Sequence, residues 1–232
     1  MTDNFKAFKE YVELSCKRTT IDSTNFDENE DQYYTVDIIR RNKDLKRSGA
    51  NYHFRTFHIN TLDELDKFED DIKKMCVALD ARAYVCVYRK SKKKIHTYAN
   101  AEMARRIAEE DFRKPWAIFK SVEESFRYSN EKRWVIDIDA DDYQEYIEKE
   151  KSSLFQILRK LVEIINNKCQ GRDEDKVLTI LPTKTGFHIV TTPFNTIQWV
   201  EELEKANMPE PSIIRNGLVL LYENIKNTDN LA

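Results

Sequence analysis

The sequence predicts an α+β fold built from two modules packed into a single domain, and three observations predict it. Residues 131–232 read in the order β-α-β-β-α-β, the split βαβ or ferredoxin-like (RRM-like) arrangement. Residues 1–130 contain a second set of strands and helices, in the order β-β-α-β-α, which forms an α/β module against it. The composition is that of a globular chain, with 41% hydrophobic residues and only four glycines and five prolines in 232, so low-complexity linkers are not expected.

The elements follow from periodicity. Phe5, Phe8, Tyr11, Val12 and Ser15 fall at helical spacing and place a helix over 3–17. The polar, acidic stretch 19–31 reads as a loop. Strands at 33–41 and 52–59 flank a basic loop, and Thr61 with Asp63 and Glu64 opens a helix to about Leu79. A strand at 83–88, a charged stretch 89–94 and a helix from Thr97 to about Tyr128, interrupted at Pro115, complete the first module. In the second, a strand at 134–139 leads to a long helix, about 143–169. Strands at 177–181 and 187–192, a helix at 195–206 and a last strand at 218–222 follow.

Net charge is −3, so nucleic-acid binding cannot be read from bulk charge and needs local basic patches. The four cysteines, Cys16, Cys76, Cys86 and Cys169, are scattered without a CxxC pair, which argues against structural zinc and for reduced thiols. No apolar stretch approaches the roughly 18 residues of a membrane span, and the polar N-terminus lacks a signal-peptide core. A soluble, cytoplasmic protein is expected.

Asp137 and Asp139 alternate at the end of the 134–139 strand, so both carboxylates project from one face. Two carboxylates on one face repel, and a divalent cation relieves that repulsion. In a split βαβ sheet the end of the first strand meets the beginning of the third, which brings His188 beside the pair. Lys184, Thr185 and Gly186 form the intervening turn, whose amides and ammonium suit a polyphosphate. The bland readings are a strand end with helix-capping acids, a packed histidine and a solvated lysine.

This constellation resembles the archaeo-eukaryotic primase superfamily, which includes the primase-polymerases. The resemblance rests on Asp137-Ile138-Asp139 and on the glycine-histidine hairpin. It implies template-directed nucleotidyl transfer with release of pyrophosphate, using Mg²⁺ or Mn²⁺. Asp137 and Asp139 are then metal ligands, and His188 a contact to the incoming nucleotide. The superfamily has a third acid near the last strand. Glu223 lies at the wrong end of that strand, which leaves Glu210, with Ser212 as a non-carboxylate alternative. Expected partners are a single-stranded DNA template, nucleoside triphosphates and a helicase or other replication protein, in a cellular or phage-encoded replication setting.

Basic groups cluster in the first module. Arg40, Arg41, Lys43, Lys46, Arg47 and Arg55 lie on one hairpin, and Arg89, Lys90 and Lys92 to Lys94 follow another strand. With Tyr52, Phe54 and Tyr88 they suit a single-stranded template, and Arg47, Arg55 and Arg89 are the candidate nucleic-acid contacts. His53, His58 and His96 read as structural or surface groups. Two other functions fit the same residues. One is a metal-dependent nuclease, which does not require the histidine hairpin. The other is a non-catalytic nucleic-acid-binding replication-accessory module.

Overall fold

The computed structural model describes residues 1–19, 31–42, 49, 51–112, 114–125, 131–215 and 217–224. Its strands are β1 (Thr2–Asp3), β2 (Gln32–Arg40), β3 (Tyr52–Ile59), β4 (Arg82–Cys86), β5 (Lys90–Ser91), β6 (Trp134–Asp139), β7 (Val177–Pro182), β8 (Gly186–Thr191), β9 (Ser212–Arg215) and β10 (Leu218–Glu223). Its α-helices are α1 (Phe5–Thr19), α2 (Leu62–Leu79), α3 (Lys92–Ala108), α4 (Pro115–Glu124), α5 (Gln144–Glu150), α6 (Leu154–Glu163) and α7 (Thr196–Lys205). The fold is mixed α and β, and every strand pairing is antiparallel.

Two sheets organise the chain. The larger runs β1-β10-β4-β2-β3, with β5 also paired to β2, and the smaller runs β7-β8-β6-β9. One correction to the sequence reading concerns the last strand. Residues 218–222 were expected beside β6, yet β10 pairs with β4 of the larger sheet, Val219 facing Val85. The position beside β6 is taken by the four-residue β9, Ile214 facing Val135. The boundary expected near residue 130 therefore does not separate the sheets, because the chain returns to the first one at its end.

Local chemistry explains the helix boundaries. The Thr61 side chain accepts from the Glu64 backbone N–H at 3.0 Å, while the Glu64 carboxylate accepts from the Asn60 backbone N–H at 2.7 Å. Pro115 occupies the first turn of α4, where its missing N–H costs nothing. The single long helix expected over 143–169 is broken. Lys151 adopts a left-handed conformation (φ 47°), and Ser153 with Gln156 restarts the helix through a capping box. The segment begins as a 3₁₀ turn at Ala140–Tyr143 and ends as a π turn at Ile164–Lys168.

Each sheet buries two faces differently. Tyr34, Val36, Ile38, Ala83 and Val85 of the larger sheet join a core with α1 and α2 that also contains Val135, Leu181 and Val190 of the smaller sheet. Ile136, Ile138 and Ile189 point the other way, into a second core with α6, α7 and Trp199. Along β6 the alternation is thus Val135 toward the larger sheet and Ile136 toward the helices. Asp137 and Asp139 continue on the side of Val135. No helix among the described residues is long and apolar enough to cross a membrane.

Candidate active site

The alternation on β6 delivers both carboxylates to the cleft between the sheets. Asp137 faces His188 on β8 and Ser212 on β9, and Asp139 faces Gly186. Directly opposed residues share a face, so His188 lands on the acids. Its Nε2 lies 3.2 Å from Asp137 Oδ1. An imidazole nitrogen facing a carboxylate oxygen is the donor, which leaves Nδ1 as the other ring polar atom. That Nδ1 is buried and has no hydrogen-bond partner among the described residues. A histidine whose donor already serves Asp137 is placed to orient that carboxylate, and a nucleotide phosphate would have to displace this contact.

The turn after β7 holds the second acid. Thr183 N–H donates to the Gly186 carbonyl at 2.9 Å, leaving Lys184 and Thr185 at its exposed tip. Thr185 Oγ1 donates to Asp139 Oδ1 at 3.0 Å, and the Thr185 carbonyl accepts from Ala140 N–H at 3.0 Å. Gly186 owes its identity to the neighbouring strand. A Cβ there would lie 1.7 Å from the Ile138 carbonyl oxygen. The glycine therefore works through close strand packing, and the phosphate-cradling role expected of it is not needed to account for it.

Larger-sheet residues complete the cleft, which encloses about 500 Å³. Ile39, Tyr84, Leu218 and Leu220 give an apolar floor, and Arg41, Arg82 and Asn51 add polar groups, opposite Asp137, Asp139, Lys184 and His188. Arg82 pairs with Glu223 at 2.9 Å. The Tyr84–Leu220 floor escapes sequence reading because its strands meet the acids only through tertiary packing.

Three expected site residues lie elsewhere. Glu210 is exposed and lines a separate groove between α7 and β9. Among the described residues no group of three or more His, Cys, Asp or Glu side chains is arranged to hold a metal ion. Arg89 is 1% exposed, with its guanidinium on the Glu131 carboxylate and on Thr19 Oγ1. Burial pulls the Arg89 pKa down, but Glu131 outweighs it and holds the group charged. It is a structural cation and no phosphate contact. Arg55 is exposed with its guanidinium 4.3 Å from the Phe57 ring. It sits opposite Ile38, on the sheet face turned away from the cleft. Arg47, with Lys43 and Lys46, lies outside the described residues.

A further charged cluster went unread in the sequence. Asp37 faces Tyr84 across β2 and β4, on the cleft side of the larger sheet. Its Oδ1 meets His53 Nε2 at 2.7 Å, Thr56 Oγ1 at 2.6 Å and Lys120 Nζ of α4 at 3.2 Å. Glu123, one turn along α4, takes His58 at 2.9 Å and the Tyr33 hydroxyl at 2.8 Å. Burial pushes the Asp37 carboxyl up, yet the Thr56 and His53 hydrogen bonds and the Lys120 and Lys90 charges outweigh it and hold it below the usual range. Glu123 is likewise held low, burial being outweighed by His58, Lys90 and Tyr33. His58 thus fastens α4 to β3, and Lys120 fastens it to Asp37 of β2 and Thr56 of β3. A donor-acceptor pattern spread over three elements carries no sequence signature.

Comparison of the chain with protein-family models, with curated proteins and with solved structures finds no match.

Proposed function

We propose that the chain is a primase-like catalytic core, a DNA primase or primase-polymerase that joins nucleotides on a single-stranded DNA template. One observation carries the reading. Asp137 and Asp139 project side by side into a cleft of nucleotide size, with His188 on the first and Thr185 on the second. The order β7-β8-β6-β9 supports treating residues 134–215 as the split βαβ sheet of such a core.

The donor set fits Mg²⁺ or Mn²⁺ of a particular kind. Two carboxylates, without a third protein ligand among the described residues, do not make a closed cage, but Mg²⁺ keeps waters and completes its shell with substrate phosphates. Asp137 and Asp139 would hold it. Such an ion, when bound, activates an attacking hydroxyl and stabilises a pyrophosphate leaving group. The chain's own residues do the rest. His188 and Thr185 orient the two carboxylates, Lys184 and Arg41 offer positive charge to a triphosphate, and Tyr84 with Leu220 gives an apolar surface for base or sugar.

The test is incorporation of labelled nucleotides on primed and unprimed single-stranded DNA with Mg²⁺ or Mn²⁺. Second-sphere partners of a metal ligand alone cost about 10–100-fold, so Asp137→Asn should reduce the rate by at least about a hundredfold. His188→Ala, which frees the Asp137 carboxylate from its orienting partner, should lower the rate by about 10–100-fold. Absence of product from the unaltered protein on both templates would refute the enzymatic reading. That no third acid joins the pair among the described residues favours a second reading, a non-catalytic nucleic-acid-binding replication module. It predicts DNA binding that survives EDTA and the Asp137→Ala, Asp139→Ala double change.

A further inference from the structure

Glu210, set aside from the cleft, belongs to a surface with its own chemistry. Strand β9 is the outermost strand of the smaller sheet, bonded to β6 on one side and to no described strand on the other. An open edge is a template for a further strand, and proteins usually blunt it with lysine, proline or a covering element. The opposite edge is managed in this way, since α1 packs against β7. The β9 edge reads Ser212-Ile213-Ile214-Arg215, with Ile214 42% exposed and neither lysine nor proline within it. Its basic end is engaged, the Arg215 guanidinium lying 5.6 Å from the Trp134 ring.

Beside this edge runs a groove of about 820 Å³ between β9 and α7. Helix α7 buries Trp199 and Leu203 and turns Ile197, Val200, Glu201 and Glu204 toward the groove. The floor is apolar, Ile197 being 70% exposed and Ile213 lying opposite. Three carboxylates rim it, from Glu201, Glu204 and Glu210. We propose that this groove binds an extended, basic peptide segment of a partner protein, which adds to β9 as an extra strand. Main-chain hydrogen bonds to the β9 edge hold such a segment, while alternate side chains face opposite ways. Lysine or arginine at every second position then meets the acids of α7 and Glu210 and lays its aliphatic stem on Ile213, and the apolar residues between them, facing the other way, cover Ile214. The same three acids disfavour a nucleic-acid strand, so the groove is separate in function from the cleft.

The experiment uses the full chain and a fluorescein-labelled octapeptide of alternating lysine and valine, read by fluorescence anisotropy. Saturable binding is expected. It should weaken about three- to thirtyfold in the Glu201→Lys, Glu204→Lys variant, since two surface attractions become repulsions. Both positions are exposed, and an unchanged thermal midpoint confirms that the variant is folded. N-methylation of alternate peptide residues should abolish binding, and Asp137→Asn with Asp139→Asn should leave it unchanged. The proposal is overturned if the peptide does not bind or if a glutamate-valine octapeptide binds equally. Retained binding by the N-methylated peptide would overturn it too. So would self-association through β9, seen as a dimer that Ile213→Lys converts to monomer.

Discussion

Replacing Gly186 by alanine tests the geometry on which the acid cleft depends. The added Cβ would sit 1.7 Å from Ile138 O, 2.8 Å from Ile138 C and 3.2 Å from Asp139 Cα. All three are backbone atoms, so no rotamer change relieves the clash. Ordinary contact begins near 3.4 Å, and β8 must therefore draw away from β6 by about 1.7 Å at this point. A hydrogen bond of 3.0 Å, such as Ala140 N–H to Thr185 O, does not survive that displacement. Two lost backbone bonds cost about 1 kcal/mol each and overpacking adds about 1–3 kcal/mol, for a total of about 3–5 kcal/mol. With a urea slope of about 3 kcal/mol/M for a chain of this size, the midpoint falls by about 1–1.7 M. The opening also withdraws Thr185 from Asp139, so nucleotide affinity should fall in whatever fraction remains folded. Gly217→Ala is the control, because its Cβ would meet the Ile214 Cγ2 methyl at 2.8 Å, a side-chain atom able to move. An unchanged midpoint for Gly186→Ala, or equal effects of the two substitutions, would refute the reasoning.

Two other predictions concern charge. Arg89→Met leaves Glu131 buried without its main partner and should cost about 3 kcal/mol by chemical denaturation. The salt dependence of DNA binding should stay the same, whereas loss of a phosphate contact would lower its slope by about one. The second is acid sensitivity of the α4 attachment. Asp37 and Glu123 are held below their ordinary values of 3.8 and 4.5, so their contribution is complete above about pH 5. It is lost as pH falls through the lower folded values. Thermal midpoints should therefore drop more steeply below pH 4.5 in the unaltered chain than in Asp37→Asn with Glu123→Gln. Parallel curves would sink this account.

What could be read in the sequence was whatever depends on period and short range. The i, i+2 spacing put Asp137 and Asp139 on one face, and the expected antiparallel neighbourhood of the first and third strands put His188 opposite them. Thr61 marked a helix start and Pro115 an interruption through chemistry confined to one turn. Misreadings occurred where a residue's partner lies far along the chain. Arg89 looked like one member of a basic run because Glu131, 42 positions away, neutralises it only after folding. Gly186 looked like a phosphate turn because the Ile138 carbonyl that demands a glycine belongs to another strand. The last strand was assigned to the nearer sheet, since hydrophobic alternation fixes which face is buried and not which neighbour is chosen. Four-residue β9 and two-residue β1 and β5 are too short for periodicity to register.

The return of β10 to the larger sheet has a consequence for how the molecule is assembled. Trp134 and Arg215 are cross-strand partners, so the stretch between them leaves and re-enters at neighbouring points. The smaller sheet is in effect an insertion, spliced between β4 and β10 of an otherwise continuous sheet. A fragment ending near residue 130 would lack the strand that lies between β1 and β4, exposing β4 as a raw edge. The 134–215 segment, by contrast, has its ends side by side and meets the usual requirement for a transplantable unit. Because β1 pairs with β10, Thr2 facing Glu223, completing the larger sheet requires closing a loop of most of the chain. Val135, Leu181 and Val190 tie the insertion into the host core, so the acid-bearing part and its host are held by shared packing.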